Sequence, residues 1–260
     1  VVVAFSGGAD SAFLAWVAHD TLGGERALAM TAVSPSLAGD ERRECAALAA
    51  EWGLSWCEVS TDEMAEAAYR ANDGDRCYFC KAELLDVLGP LADRHGLAAV
   101  ATGTNADDAV AGFRPGIRAA AERHAATPLL DAGLTKEQVR RASRGWRLVT
   151  WDKPAAACLS SRVAYGLEIT PSRLGRIERA EAALRESLAA AAIPVSNLRV
   201  RDLGDRARVE VDPDVVDLVA RSSPVIESVR AVGFDEVEVD ARGFRSGAMN
   251  ELLTEPRRYR

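Results

Sequence analysis

The chain has 260 residues, a formal net charge of −7, 48% hydrophobic and 27% charged residues. That length and apolar share suit one large or two ordinary packed domains and exclude a disordered chain. The acidic balance argues against a broad nucleic-acid footprint, which needs clustered Lys and Arg, and no apolar run reaches the roughly 18 residues of a membrane span.

The opening stretch, VVVAFSGGADSAFLAWVAHDTLG (1–23), passes from an apolar run to helical spacing through two glycines, an acid and a serine. This predicts strand, tight loop, helix. Such a loop presents unpaired N–H groups at a helix N-terminus, where phosphate is the natural occupant. Residues 27–37 read as a strand, 39–53 as an amphipathic helix ending at Gly53, and 54–60 as a strand. A helix is expected next, with Thr61 as N-cap and Glu63 and Glu66 near its start. Residues 80–96 read as another helix, and 97–108 as a buried strand running into a polar turn. Strands alternating with helices predict an α/β fold, a doubly wound parallel sheet. Ligands gather at the carboxyl ends of such strands. The turns Ser6–Ser11, Ser34–Ser36 and Gly103–Asp108 are therefore expected to share one crevice.

Residues 150–166, TWDKPAAACLSSRVAYG, break the pattern. A helix follows, then a strand pair in NLRVRDLGDRARVEV, a second helix over 212–233 and a last strand, FDEVEVDA. This is α+β, so a domain of residues 1–164 and a smaller one of 165–260 are expected. The closing TEPRRYR reads as a solvated or disordered basic tail. The chain begins on Val1 and not on Met, so upstream residues are expected, and its start lacks a signal peptide's charged region and cleavage pattern. Five cysteines, two of them in one CxxC, do not make a secreted disulfide framework at this length, which points to the cytoplasm.

SGGADS lacks the lysine of a Walker A loop and is not the dinucleotide G-x-G-x-x-G. It resembles the SGGxDS of the PP-loop ATP pyrophosphatases, which cleave ATP between the α- and β-phosphates. That resemblance implies that backbone N–H groups of Gly7, Gly8 and Asp10, with the Ser6 and Ser11 hydroxyls, hold pyrophosphate. Asp10 would then lie beside Mg2+, which takes oxygen ligands. An ordinary strand-to-helix turn with a serine cap is the plainer alternative. Cys77 and Cys80 form the CxxC of DRCYFCK, and Cys158 lies in AACLSSR. A lone CxxC suits a redox pair or half a zinc site. The absence of a second CxxC, and the poor spacing of His19, His95 and His124, weigh against zinc. Three thiolates also suit an iron–sulfur cluster with one iron open. Cys45 and Cys57 read as small core residues, and Trp52 and Trp56 as packing residues.

AFSGGADS, DRCYFCK, ATGTNADD, FRPGIRAA, PLLDAGLTK, WDKPAAACLSSRVAYG and GFRSGAMN occur in order along nearly the whole chain. Together they resemble the ATP-dependent sacrificial sulfur transferases of nickel-pincer nucleotide biosynthesis, the LarE family. The resemblance implies the adenine nucleotide alpha hydrolase-like fold, ATP and Mg2+ as cofactors, and a homo-oligomer, trimer or hexamer. It implies adenylation of a carboxylate of a pyridinium-3,5-dicarboxylate mononucleotide and its conversion to a thiocarboxylate, releasing AMP and pyrophosphate. The sulfur would come from a sacrificial cysteine or through a 4Fe-4S cluster. With Cys77, Cys80 and Cys158 all present, the cluster version is favoured.

By the same resemblance Ser34 lies in the segment beside adenine, and Gly103 and Thr104 close over the ribose and α-phosphate. Arg199 and Arg201, alternating on one strand face, would bind the substrate phosphate, and Ser161 and Arg162 would flank the reactive sulfur at that site. Glu181 and Glu210 are expected to bind metal or to order those arginines, and Arg114 and Arg118 to face nucleotide or substrate. Gly243 and Gly247 are expected to allow a tight turn. The expected partner is thus a nucleotide-like small molecule, with neither nucleic acid nor membrane. PP-loop tRNA thiolases and ammonia-using synthetases of the NAD synthetase type share the loop. The first need a basic surface, and the second have no use for a cysteine trio.

Overall fold

The structure, a computed structural model, describes residues 1–111, 114–154, 157–245 and 247–253. The expected basic tail lies outside the described residues.

Four parallel strands, β1 (Val2–Ala4), β2 (Leu28–Val33), β3 (Trp56–Ser60) and β4 (Val100–Ala101), form a sheet in the order β3-β2-β1-β4. The apolar opening run is explained by burial on both faces, as parallel strands require. Neighbouring side chains on β1 point to opposite faces. Val3 packs with Phe13 of the Ala9–Leu22 helix and Leu48 of the Gly39–Glu51 helix. Val2 packs with Met30 and with Leu85 and Leu88 of the Arg76–Arg94 helix. Helices thus cover both faces, and the sheet is doubly wound.

Three local expectations shift. The helix expected from Thr61 is a 3-10 turn, Glu63–Ala65, and a single helical turn, Ala67–Arg70. Its cause is Glu63, a carboxylate only 2% exposed. Glu63 accepts hydrogen bonds from the hydroxyls of Ser34 (2.5 Å), Ser36 (2.5 Å) and Thr61 (3.2 Å). The next helix starts at Arg76, so its opening turns contain both Cys77 and Cys80. The strand expected over 97–108 pairs only at Val100 and Ala101. Asn105 then starts the Ala106–Val110 helix with a capping box, accepting from the Asp108 N–H while the Asp108 carboxylate accepts from its own.

The chain forms two compact units. Val1–Tyr69 and the stretch from Asp75 to residue 154 make one; Arg70–Gly74 and the described residues of 157–253 make the other. The second unit pairs β5 (Leu198–Asp202) with β6 (Arg206–Val211) as an antiparallel hairpin, and β7 (Glu236–Val239) joins β6 in parallel. The Pro171–Ala190 helix, capped by the Thr170 hydroxyl, lays Leu184 and Leu188 against Val200 and Val209. The single helix expected over 212–233 is broken into Pro213–Val215, Val216–Arg221 and Ser223–Arg230. Pro224 lacks an N–H and fits only a first turn, so a new helix starts there.

Candidate active site

A cavity of about 370 Å³ lies within the first unit, at the carboxyl ends of β1, β2 and β4. Ser6, Gly8, Asp10 and Ser11 line it beside Thr102, Gly103 and Thr104, with Ala32 and Leu37 at another wall. Its volume suits a small ligand.

The loop is ordered from within. The Ser11 hydroxyl accepts from the Ser6 N–H at 3.2 Å, lies 3.0 Å from the Ser6 hydroxyl and donates to the Gly8 carbonyl at 3.1 Å. Gly7 adopts φ +66°, and a β-carbon there would stand 3.0 Å from the Cys45 sulfur beneath the loop. Gly8 is the N-cap residue of the Ala9–Leu22 helix and has no side chain to close its free N–H groups. They remain available to an anion.

Asp10 is split in its roles. Its Oδ2 stands 3.4 Å from Lys136 Nζ, whereas its Oδ1 is buried and has no hydrogen-bond partner. An orphaned buried carboxylate oxygen beside a phosphate loop fits a hard divalent cation such as Mg2+.

Three lysines line the same cavity: Lys81, Lys136 and Lys153. Lys153 Nζ donates to the Gly7 carbonyl at 3.0 Å and pairs with Glu44 at 2.7 Å. Burial pulls the Lys81 ammonium below the ordinary lysine range, against the upward pull of Cys80, Cys77 and Asp108. Sequence reasoning did not single these lysines out. Each sits inside a motif it quoted, CYFCK, GLTK and WDKP, but none lies in the loop itself. Three segments distant in sequence thus bring lysines to the cavity beside SGGADS.

Gly103 packs against the loop so closely that an added β-carbon would lie 2.9 Å from the Ser11 nitrogen. Thr104 Oγ1 lies 3.1 Å from Thr102 Oγ1. Ser34 directs its hydroxyl to Glu63 and lies 2.9 Å from the Ser36 hydroxyl. This ties down the segment between Ala32 and Leu37.

Cys77 is exposed and Cys80 half-buried, three residues apart on one helix face. Gly116 of the Pro115–Glu122 helix packs there, its virtual β-carbon 3.4 Å from the Cys77 carbonyl. Arg118 lies 4.5 Å above the Tyr78 ring and Arg114 is 3.4 Å from Asp108.

In the second unit, half-buried Cys158 is the N-cap residue of a 3-10 turn, Leu159–Arg162. Arg162 donates to Glu181 through Nε at 3.0 Å and Nη2 at 3.3 Å, and its Nη1 donates to the carbonyls of Ala157 and Cys158. Arg201 donates to Glu210 at 2.7 Å and to the Ser161 carbonyl at 3.2 Å. Arg199 lies 5.4 Å over the Phe244 ring and donates to the Leu198 carbonyl.

Glu181 and Glu210 are each ion-paired to a buried arginine. Among the described residues no group of three or more His, Cys, Asp or Glu is assembled for a metal. For a 4Fe-4S cluster the donor chemistry nonetheless fits. Cys77 and Cys80 stand in the opening turns of one helix, and Cys158 is a third thiol outside any disulfide.

No family model matches the chain. An uncharacterized protein of Synechocystis sp. is 41% identical over 256 residues, 97% of this chain and 92% of that protein. Pyridinium-3,5-bisthiocarboxylic acid mononucleotide synthase of Lactiplantibacillus plantarum is 32% identical over 255 residues, 98% of this chain and 90% of that protein. Among solved structures, NMN synthetase from Francisella tularensis superposes with a TM-score of 0.47 at 20% identity, over 60% of this chain and 65% of that one.

Proposed function

We propose a function from one premise: the chain belongs to the family of the pyridinium-3,5-bisthiocarboxylic acid mononucleotide synthases. On our reading it is an ATP-dependent sulfur transferase. It adenylates a carboxylate of a pyridinium-3,5-dicarboxylate mononucleotide-type substrate, releases pyrophosphate, and replaces AMP by sulfur.

The observation that carries this reading is the cavity at the phosphate loop, with the orphaned Asp10 oxygen and three lysines converging on it. The backbone N–H groups of Gly7, Gly8 and Asp10 receive phosphate oxygens. Asp10 would hold Mg2+, which when bound would supply positive charge to offset that of pyrophosphate. Lys81, Lys136 and Lys153 supply fixed positive charge where negative charge develops, which lowers the barrier most in a site that excludes water. The substrate carboxylate attacks the α-phosphorus, because hydroxide is a poor leaving group and AMP a good one.

Cys158 serves the second half. In the sacrificial route its thiolate attacks the acyl-adenylate carbonyl and expels AMP, forming a thioester. Removal of the Cys158 Cα proton then breaks its Cβ–S bond. The thiocarboxylate keeps the sulfur and residue 158 becomes dehydroalanine, with no net redox change. In the cluster route, which the cysteine trio favours, Cys77, Cys80 and Cys158 would hold a 4Fe-4S cluster. When bound, it supplies an open iron that can carry an exogenous sulfide.

The test is to incubate the chain with ATP, Mg2+ and pyridinium-3,5-dicarboxylate mononucleotide, measuring AMP, pyrophosphate and product mass. AMP and pyrophosphate in equal amounts, with sulfur replacing a carboxylate oxygen, support the reading; retention of tRNA at low salt without that product would overturn it in favour of a thiolase. Iron and acid-labile sulfide on oxygen-free protein separate the routes. About four irons per chain, lost in Cys158→Ala, indicate the cluster. Iron-free protein in which residue 158 is converted to dehydroalanine during turnover, read by mass spectrometry, indicates sacrifice.

A further inference from the structure

We infer that Glu63 is a positioning residue for the nucleotide: through Ser34 and Ser36 it fixes the turn of residues 34–37, and with it the cavity wall that receives the base. The inference rests on the reading of the first unit's cavity as the ATP site. Glu63 itself does not line that cavity and acts only through the turn.

The turn follows β2 directly. Ser34, Pro35, Ser36 and Leu37 make a β-turn closed by the Leu37 N–H, which donates to the Ser34 carbonyl at 3.1 Å. Proline stands at its second position, where its fixed φ is suited. Ser34 and Ser36 donate to the same carboxylate oxygen, Glu63 Oε1, at 2.5 Å each, the range of charge-assisted O–H···O⁻ bonds. The Ser34 hydroxyl also accepts from the Ser36 N–H at 3.2 Å. One oxygen therefore holds the first and third residues of the turn. Glu63 is fixed from the other side. Its Oε2 accepts from the Thr61 hydroxyl at 3.2 Å, and the Thr61 N–H donates to the Val33 carbonyl at 3.2 Å, just past the pairing of β2 with β3. The Asp62 N–H donates to the Glu83 carboxylate of the Arg76–Arg94 helix at 2.9 Å.

Energetics lead to the same assignment. Glu63 is 2% exposed and Ser36 5%. Among the described residues the partners of the Glu63 carboxylate are these three hydroxyls, and no lysine or arginine pairs with it. A carboxylate buried without a cation is costly, and an apolar side chain of similar volume would avoid that cost. What the carboxylate provides is one position for the turn. The cavity has a polar end at the phosphate loop, whereas Met30, Ala32, Leu37 and Leu84 are apolar lining residues. With phosphates at the loop, the apolar lining is left for the flat base. Dispersion needs close contact: a gap of about 0.5–1 Å forfeits roughly a quarter to a half of it. Where Leu37 stands thus decides how well the wall holds the base, and Glu63 decides where Leu37 stands.

The test is Glu63→Met beside Glu63→Gln in the full chain with Mg2+. The readouts are the thermal midpoint and the calorimetric Kd for ATP and for inorganic tripolyphosphate, which has no base. Methionine has similar length and none of the carboxylate's acceptor oxygens; glutamine keeps one oxygen for the two serines and can donate its amide to the Thr61 hydroxyl. In Glu63→Met, ATP should bind about 10-fold more weakly and tripolyphosphate within about twofold of wild type, and Glu63→Gln should restore most of the ATP affinity. The KM for ATP in AMP formation should rise by the same factor at little-changed kcat, as expected when binding common to ground and transition states is lost. An ATP affinity that is unchanged, or that falls no further than the affinity for tripolyphosphate, would overturn the inference whatever the midpoint does. Should Glu63→Met fail to fold, Ser36→Ala removes one donor to Glu63 and carries the same expectations for the two ligands. A wild-type chain that binds ATP but forms no AMP would refute the function, while the binding comparison would still decide the role of Glu63.

Discussion

Gly103→Ala is the sharpest probe of how the phosphate loop is held. The new methyl would stand 2.9 Å from the Ser11 nitrogen and 3.0 Å from both the Asp10 carbonyl carbon and Ser11 Cα. All three are backbone atoms at the start of a helix whose Ala12, Phe13 and Leu14 are in the core. Ordinary contact begins near 3.4 Å, so helix and turn must separate by roughly half an ångström, an overpacking strain of about 1–3 kcal/mol. At about 2–4 °C per kcal/mol for a chain of this size, the midpoint falls by several degrees. The larger effect is functional. Asp10 and the free N–H groups move with the helix, and AMP formation should fall about 10- to 100-fold. Gly89→Ala is the control: Gly89 lies inside the Arg76–Arg94 helix with nothing within 4 Å of its virtual β-carbon. It should gain about 0.5–1 kcal/mol from helix propensity and leave AMP formation intact. Differential scanning calorimetry and an AMP assay on both variants decide the matter. A Gly103→Ala protein with wild-type midpoint and wild-type AMP formation would refute the close-approach argument.

Asp10→Asn removes the charge that the orphaned oxygen offers to Mg2+; AMP formation should drop about 100-fold and the Mg2+ requirement rise, read by metal titration. Lys81→Met should stabilise the fold while impairing it. Because the folded state binds the Lys81 proton more weakly than the unfolded chain does, the charged form costs stability at neutral pH. A raised midpoint with AMP formation down about 10- to 100-fold is expected, and an unchanged AMP rate would remove Lys81 from the phosphate site. Burial pushes the Cys45 thiol up, so the folded state holds that proton more tightly. Its contribution is complete below the ordinary thiol value of about 8.5 and is lost as pH rises through the folded value. Stability from urea unfolding should fall as pH rises above about 8.5, and less steeply in Cys45→Ala.

Some of this protein was legible in the residue order because local chemistry sufficed. An apolar run too short for a helix, followed by SGGADS and helical spacing, can hardly be other than strand, loop and helix. The hairpin of β5 and β6 was equally legible in NLRVRDLGDRARVEV, where apolar residues alternate on both sides of Leu203, Gly204 and Asp205. The helix expected from Thr61 shows where local signals fail. Its caps and acids look regular, yet Glu63 is drawn inward by serines nearly thirty positions earlier.

The sequence by itself determined the parallel α/β plan, the phosphate loop and the presence of Cys77, Cys80 and Cys158. These depend on periodicity, on glycine's freedom and on residue type, all properties of a few adjacent residues. Only the tertiary structure decided which cations line the cavity at the loop and which carboxylates the buried arginines pair with. Lys81, Lys136 and Lys153 come from separate segments of the chain and meet only because β1, β2 and β4 end at one edge of the sheet. Arg162 and Arg201 look like ligand-binding residues in the chain, and their burial against Glu181 and Glu210 exists only once the Pro171–Ala190 helix and the hairpin pack together. Burial, which sets the strength of a charge, belongs to the fold and not to the order of the residues.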